Sequence, residues 1–169
     1  MATHRHPIHL HGPDSVGNVV LAPYDIDAVN GLIPIFLWKF LDSSTRDLLH
    51  GAFQVPKNYV GTAAIVLVWL STATSGDVLW SVDHIVAASG EDYDPSSLTR
   101  GPLDATPQTV PGTAHLLAET SIALTDADFL ADDEVRIDIA RDGASGSPVS
   151  DTAAGPALLT SAAFQYADA

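Results

Sequence analysis

NYVGTAAIVLVWLSTATSGDVLWSVDHIV, residues Asn58 to Val86, holds the two strongest strand signals in the chain. The first runs from Tyr59 to Leu70 and is apolar without a break from Ala63 onward. A strand covered on both faces, or lying against a neighbouring subunit, reads this way. The second alternates, with Val78, Trp80, Val82 and Val86 on one face and Ser81 and Asp83 on the other beside Leu79 and Ile85. The Ser/Thr/Gly stretch between them contains Gly76-Asp77, a reversal signal, so the pair is expected to form a hairpin.

Further strands flank this pair. Ile33 to Leu41 sets Phe36, Trp38 and Phe40 against Leu37, Lys39 and Leu41, with Pro34 marking a strand start or an edge. Ser43-Ser44-Thr45 is placed to cap a helical turn through Arg46 to His50, closed by Gly51. Ala87 to Gly112, rich in Gly, Pro, Asp, Ser and Thr, is expected as a long loop and a variable surface. Strands resume at Ala114 to Leu124 and, after an acidic turn, at Glu134 to Arg141, where Val135, Ile137 and Ile139 alternate with Glu134, Arg136 and Asp138. A connector from Asp142 to Gly155 leads to the last strand, Ala157 to Tyr166. Short strands joined by turn-rich connections give an all-β fold, an antiparallel β-sandwich or jelly roll. No fixed-period repeat points to a solenoid or propeller.

Residues 1–30 are punctuated by Gly12-Pro13, Gly17-Asn18, Pro23 and Asn30-Gly31 and carry only a short apolar run, Val19 to Ala22. They are expected as an extended N-terminal arm preceding a β-sandwich domain over 31–169. An arm of this kind commonly becomes ordered against another subunit, which points to a homo-oligomer.

Composition excludes several classes of function. Seven Lys plus Arg against 21 Asp plus Glu give a formal charge of -14, the wrong sign for nucleic acid or an anionic membrane surface. No apolar run reaches the ~20 residues that span a bilayer, and the N-terminus lacks the roughly 7–15 apolar residues of a secretory signal, so synthesis in a cytoplasm is expected. The chain has no cysteine, which removes disulfides, thiolate catalysis and thiolate zinc sites.

Four histidines, His4, His6, His9 and His11, form two His-x-His pairs. Residues i and i+2 of an extended chain point the same way, so each pair can offer two imidazoles to one metal ion. One pair from each chain around a threefold axis would suit an octahedral Fe, Ni or Co ion; the same histidines can equally remain solvated. Asp126, Asp128, Asp132, Asp133 and Glu134 crowd one turn, either as a Ca²⁺ site without EF-hand spacing or as a solvated acidic turn. His84 and His115 have Asp and Ser neighbours, but no nucleophile elbow, phosphate loop or zinc-protease motif accompanies them, and no catalytic residue is assigned. Trp38, Trp69 and Trp80 fit core positions better than a sugar-binding face.

Phe53-Gln54-Val55-Pro56-Lys57-Asn58-Tyr59-Val60, VWLSTATSGDVLWSVDHIVAASGEDYD, DDEVRIDIARDGAS and the closing ALLTSAAFQY together resemble a β-sandwich module of tailed-bacteriophage virion proteins, over roughly residues 33–166. The resemblance implies a non-enzymatic virion structural protein. Within that family the modules look like trimeric jelly rolls that decorate (cement) capsids or form parts of tails, fibres and spikes, where His-x-His pairs hold metal in trimeric fibres. Capsid decoration ranks first here, because no coiled coil or fibre repeat is present. The implied partners are sister subunits of a trimer and the major capsid protein or other virion proteins, and the implied location is the virion, assembled in the host cytoplasm. A tail fibre, spike or receptor-binding (carbohydrate-binding) β-sandwich module is the alternative.

Overall fold

In the computed structural model, the described residues are 2–13, 19–24, 35–42, 47–88, 90–91, 104–142 and 151–168. They form two antiparallel sheets packed face to face, the β-sandwich expected from the strand pattern. At the middle of the first sheet lies the apolar strand β6 (Tyr59–Ser71), between β11 (Ala157–Asp168) and β9 (Ala118–Ala123). β4 (Ile35–Phe40) and β1 (Thr3–Pro7) lie end to end along the other side of β11, and β3 (Val19–Tyr24) pairs outside β4. The second sheet runs β2 (His9–Pro13), β5 (Asp47–Gln54), β10 (Glu134–Arg141), β7 (Asp77–Ala87) and β8 (Asp104–Thr109).

The unbroken apolar run of β6 is explained by burial on both faces within this chain. Ala63, Ile65, Leu67 and Trp69 face the core between the sheets, and Leu70 packs with Leu37 and Leu158 in a separate cluster on the outer side. The expected hairpin does not form, because β6 and β7 belong to different sheets. Each strand has an apolar face, and placing one in each sheet turns both faces into a shared core. Trp69 and Trp80 meet there edge to face, with ring centroids 5.7 Å apart and 65° between planes, and neither ring is exposed. Rings of this size bury ~150–250 Å², worth roughly 4–6 kcal/mol of gross transfer free energy each. The indole Nε1 of Trp69 donates to Thr120 Oγ1 at 2.9 Å. The crossing itself is fastened at Gly76, whose carbonyl accepts from Val110 N at 3.0 Å. Its φ is +92°, and a Cβ there would meet Thr152 O at 2.5 Å, so only glycine fits.

Residues 3–13 and 19–24 of the stretch expected as an arm are extended and pair with the chain's own strands β11, β5 and β4. Ile8, 7 % exposed, carries the chain from one sheet to the other, and its amide donates to Ala162 O at 3.0 Å. Gly51 makes room for this crossing: a Cβ there would stand 2.9 Å from Ile8 Cγ2. Residues 14–18 and 25–30 of the expected arm, and 31–34 at the start of the expected domain, lie outside the described residues.

Other local expectations are overturned: the strand expected from Ala114 begins only at Ala118. Residues 47–54 are not the end of a helical turn but strand β5, paired on both sides, with Leu49 and Phe53 buried and His50, Ala52 and Gln54 facing outward. The long loop from Ala87 to Gly112 contains strand β8, paired from Asp77↔Thr109 to Val82↔Asp104. β8 is the edge of its sheet, where Pro107 costs no ladder bond. Residues 89 and 92–103 of that stretch lie outside the described residues. Among the described residues the one helical element is a 3-10 turn, Asp126–Asp128, and no helix is long and apolar enough to cross a membrane.

Candidate binding face

The outer face of the second sheet gathers polar side chains from three neighbouring strands. β10 places Val135, Ile137 and Ile139 in the core, which turns Glu134, Arg136 and Asp138 outward. The register sets Asp138 beside His50, Arg136 beside Ala52 and Glu134 beside Gln54. On the other side of β5, His9 lies opposite Ala52, and an irregularity between Leu10 and Gly12 brings Gly12 opposite His50. The result is an open depression of about 650 Å³, lined by His11, His50, Ala52, Glu134, Arg136 and Asp138. A second hollow of about 360 Å³ shares His11, Ala52 and Glu134 and adds His9 and Gln54. Together they form a trough across β2, β5 and β10. The small side chain of Ala52 leaves its floor low, and hydrogen-bonding groups stand along both sides.

His50 Nδ1 lies 2.6 Å from Asp138 Oδ1, with the two side chains 44 % and 20 % exposed. An ionised carboxylate only accepts, so Nδ1 carries the hydrogen of this bond. Asp138 therefore fixes the orientation of the imidazole, and its other nitrogen is left for the trough.

The four N-terminal histidines divide between the sheets. His4 and His6 are half-buried on β1, while His9 and His11 are exposed on β2. Each pair shares a face, as i and i+2 residues of a strand must. His4 is engaged within the chain: its Nε2 lies 2.8 Å from Asp168 Oδ2, and its ring stacks obliquely 5.6 Å from Tyr166. Asp168 also accepts from Ala2 N at 2.9 Å, and this bond, followed by that of His4, holds its carboxyl below the usual carboxylate range. Among the described residues, no group of three or more His, Asp or Glu is arranged to hold a metal ion.

The acidic turn ties the fold together. Asp126 Oδ1 accepts from Ala63 N at 2.5 Å and from the Tyr59 hydroxyl at 3.3 Å. The Ala63 bond comes first among the causes that lower the Asp126 carboxyl, while burial, then the charge of Asp126, pushes the Tyr59 hydroxyl up to about 12. Asp133 is buried and accepts from Leu130 N at 2.8 Å. His84 is 2 % exposed, with its ring 4.9 Å from Phe129 and its Nε2 3.4 Å from Asp128 Oδ2, which puts it inside the sandwich. Trp69 and Trp80 are core residues, and Trp38 packs against the same core.

His50 is the residue that sequence reasoning missed. A strand reading of DLLHGAFQ would have turned it outward, but Gly51 looked like a helix stop. Its partner Asp138 is 88 residues away and is brought close only by the β5–β10 register.

No protein-family model matches the chain, and no curated protein sequence matches it. Among solved structures, the chain is similar to a family 35 carbohydrate-binding module from Clostridium thermocellum, with a TM-score of 0.45, 9% identity and 100% of both chains covered. It is also similar to the module TmCBM61, solved with β-1,4-galactotriose, with a TM-score of 0.42, 7% identity and coverage of 96% of this chain and 89% of that one. A third similarity is to the xylan-binding module CBM15, with a TM-score of 0.40, 14% identity and coverage of 99% and 97%. Likenesses this distant leave the reading of function to the face itself.

Proposed function

We propose that this chain is a non-enzymatic β-sandwich binding module that takes a carbohydrate along the trough on its second sheet. The observation that carries this reading is the 650 Å³ depression, where imidazole, carboxylate and guanidinium groups from β2, β5 and β10 converge over the low Ala52 floor. The mixture of donors and acceptors suits the hydroxyls of a sugar, which both donate and accept. No Trp or Tyr lines the depression, so hydrogen bonding rather than stacking supplies the contacts. Bonds that replace water at an open surface contribute little each, about 0.5–1.5 kcal/mol, so affinity in the micromolar-to-millimolar range is expected. A glycan array followed by calorimetry tests the reading. Binding that weakens about tenfold or more in Arg136→Ala or His11→Ala supports it, and binding indifferent to both substitutions contradicts it.

A virion role is the second reading, and the observation that favours it lies elsewhere. Val20 and Leu21, 41 % and 52 % exposed, stand on the edge strand β3 of the first sheet, where a capsid or sister subunit could pair. On this reading the module is a trimeric decoration subunit bridging neighbours in a capsid, and light scattering of the purified protein should give a trimer. A monomer that also fails to bind purified capsids contradicts it.

A further inference from the structure

On the reading of the trough as a carbohydrate site, we propose that His50, oriented by Asp138, determines its specificity: Nε2 stands in the depression as a bare acceptor, so the ligand must donate an O–H there. The geometry carries this assignment. The 2.6 Å contact between Nδ1 and Asp138 Oδ1 commits the ring hydrogen of the neutral imidazole to Nδ1. In that tautomer Nε2 presents only a lone pair. His50 is half exposed, lines the larger hollow, and has no other hydrogen bond among the described residues. Asp138 is a positioning residue: it acts on the ligand through the ring it holds.

The surroundings reinforce the choice. Around the ring, β2 contributes His9 and His11, β10 contributes Glu134, Arg136 and Asp138, and β7 contributes Asp83, opposite Asp138 in the register. An anionic ligand group placed at Nε2 would meet the lone pair of the ring, which repels it, with the Asp138 carboxylate bonded to the other ring nitrogen. A hydroxyl group meets an acceptor it can donate to. Protonation of the ring converts Nε2 from acceptor to donor, so the same hydroxyl then faces an N–H and must turn round or leave.

Two measurements test this. Nitrogen NMR of the neutral His50 imidazole in the intact protein should show the hydrogen on Nδ1 and Nε2 bare, a readout that needs no ligand. Calorimetry with the best array glycan should then show His50→Gln, whose Oε1 reaches the position of Nε2, keeping affinity within about threefold, and His50→Ala losing about tenfold. Asp138→Asn should mix the two tautomers and weaken binding. The inference is overturned if the neutral ring carries its hydrogen on Nε2, or if His50→Gln binds no better than His50→Ala. Failure of the wild-type protein to bind any glycan overturns the carbohydrate reading itself and this inference with it.

Discussion

Asp151→Ala is expected to be severely destabilising, and its cost can be worked from the contacts. Arg141 ends β10 with its side chain 1 % exposed, and the Asp151 side chain is equally covered. The pair is bidentate, with Nε to Oδ2 at 2.7 Å and Nη2 to Oδ1 at 2.8 Å. The same carboxylate accepts from Leu79 N at 3.1 Å and Ala153 N at 3.2 Å. Its removal leaves a buried guanidinium and two backbone N–H groups without their acceptor. Breaking a buried pair from one side costs about 3–5 kcal/mol. The carbonyls of Ala153 and Gly155 still accept from Arg141, and Asp42 Oδ1 stands 3.7 Å away, so the lower end of that range applies. In urea, with slopes of about 1–3 kcal/mol/M for a small protein, a loss of about 3 kcal/mol moves the midpoint by roughly 1–3 M. Arg141→Met/Asp151→Ala should cost less than the two single losses added together, because neither charge is then stranded. A loss below about 1 kcal/mol for Asp151→Ala, or simple additivity in the double variant, would refute the reasoning.

Gly51→Val should destabilise the fold by about 1–3 kcal/mol through overpacking against Ile8. Hydrogen exchange should report the loss first at the Ile8 amide and along β1, and unchanged protection there would contradict the role given to Gly51. Asp126→Asn should flatten part of the acid transition. The native carboxyl of Asp126 is held low, first by the Ala63 N–H, so its stabilisation is complete above the unfolded value of ~3.9 and lost as pH falls through the native one. Urea midpoints followed downward from about pH 6 should therefore drop more steeply in the wild type than in the variant, and parallel curves would count against the assignment.

What was legible in the sequence depended on how local the cause was. The alternation of EVRIDIAR survives intact in β10 because one face is core and the other is the trough, so the period of two by itself turns Glu134, Arg136 and Asp138 outward. The continuous run in β6 was legible as a strand, and its double burial follows from its central place. Whether β6 and β7 form a hairpin or cross between sheets was not legible. The turn residues between them suit both, and the choice is made by distant partners: β11 and β9 for one strand, β10 and β8 for the other. β8 was not legible either, because an edge strand needs neither an apolar pattern nor a full set of amides, and DATPQT is mostly polar with one proline. The His-x-His pairs were legible as neighbours on a face. Their division between two sheets hangs on Ile8, a single apolar residue flanked by histidine and proline. The trough was legible only in halves, because His50 and Asp138 meet through a register that neither segment encodes alone.

Whether the outer face of the second sheet is the binding surface is decided by titrating the isotope-labelled protein with the strongest array glycan and following backbone amide shifts. Saturable shifts are expected to cluster at His9, His11, His50, Ala52 and Arg136, with the first sheet undisturbed. Shifts clustered instead on the outer face of the first sheet, at Glu119, Ser121 and Gln165, would contradict this placement.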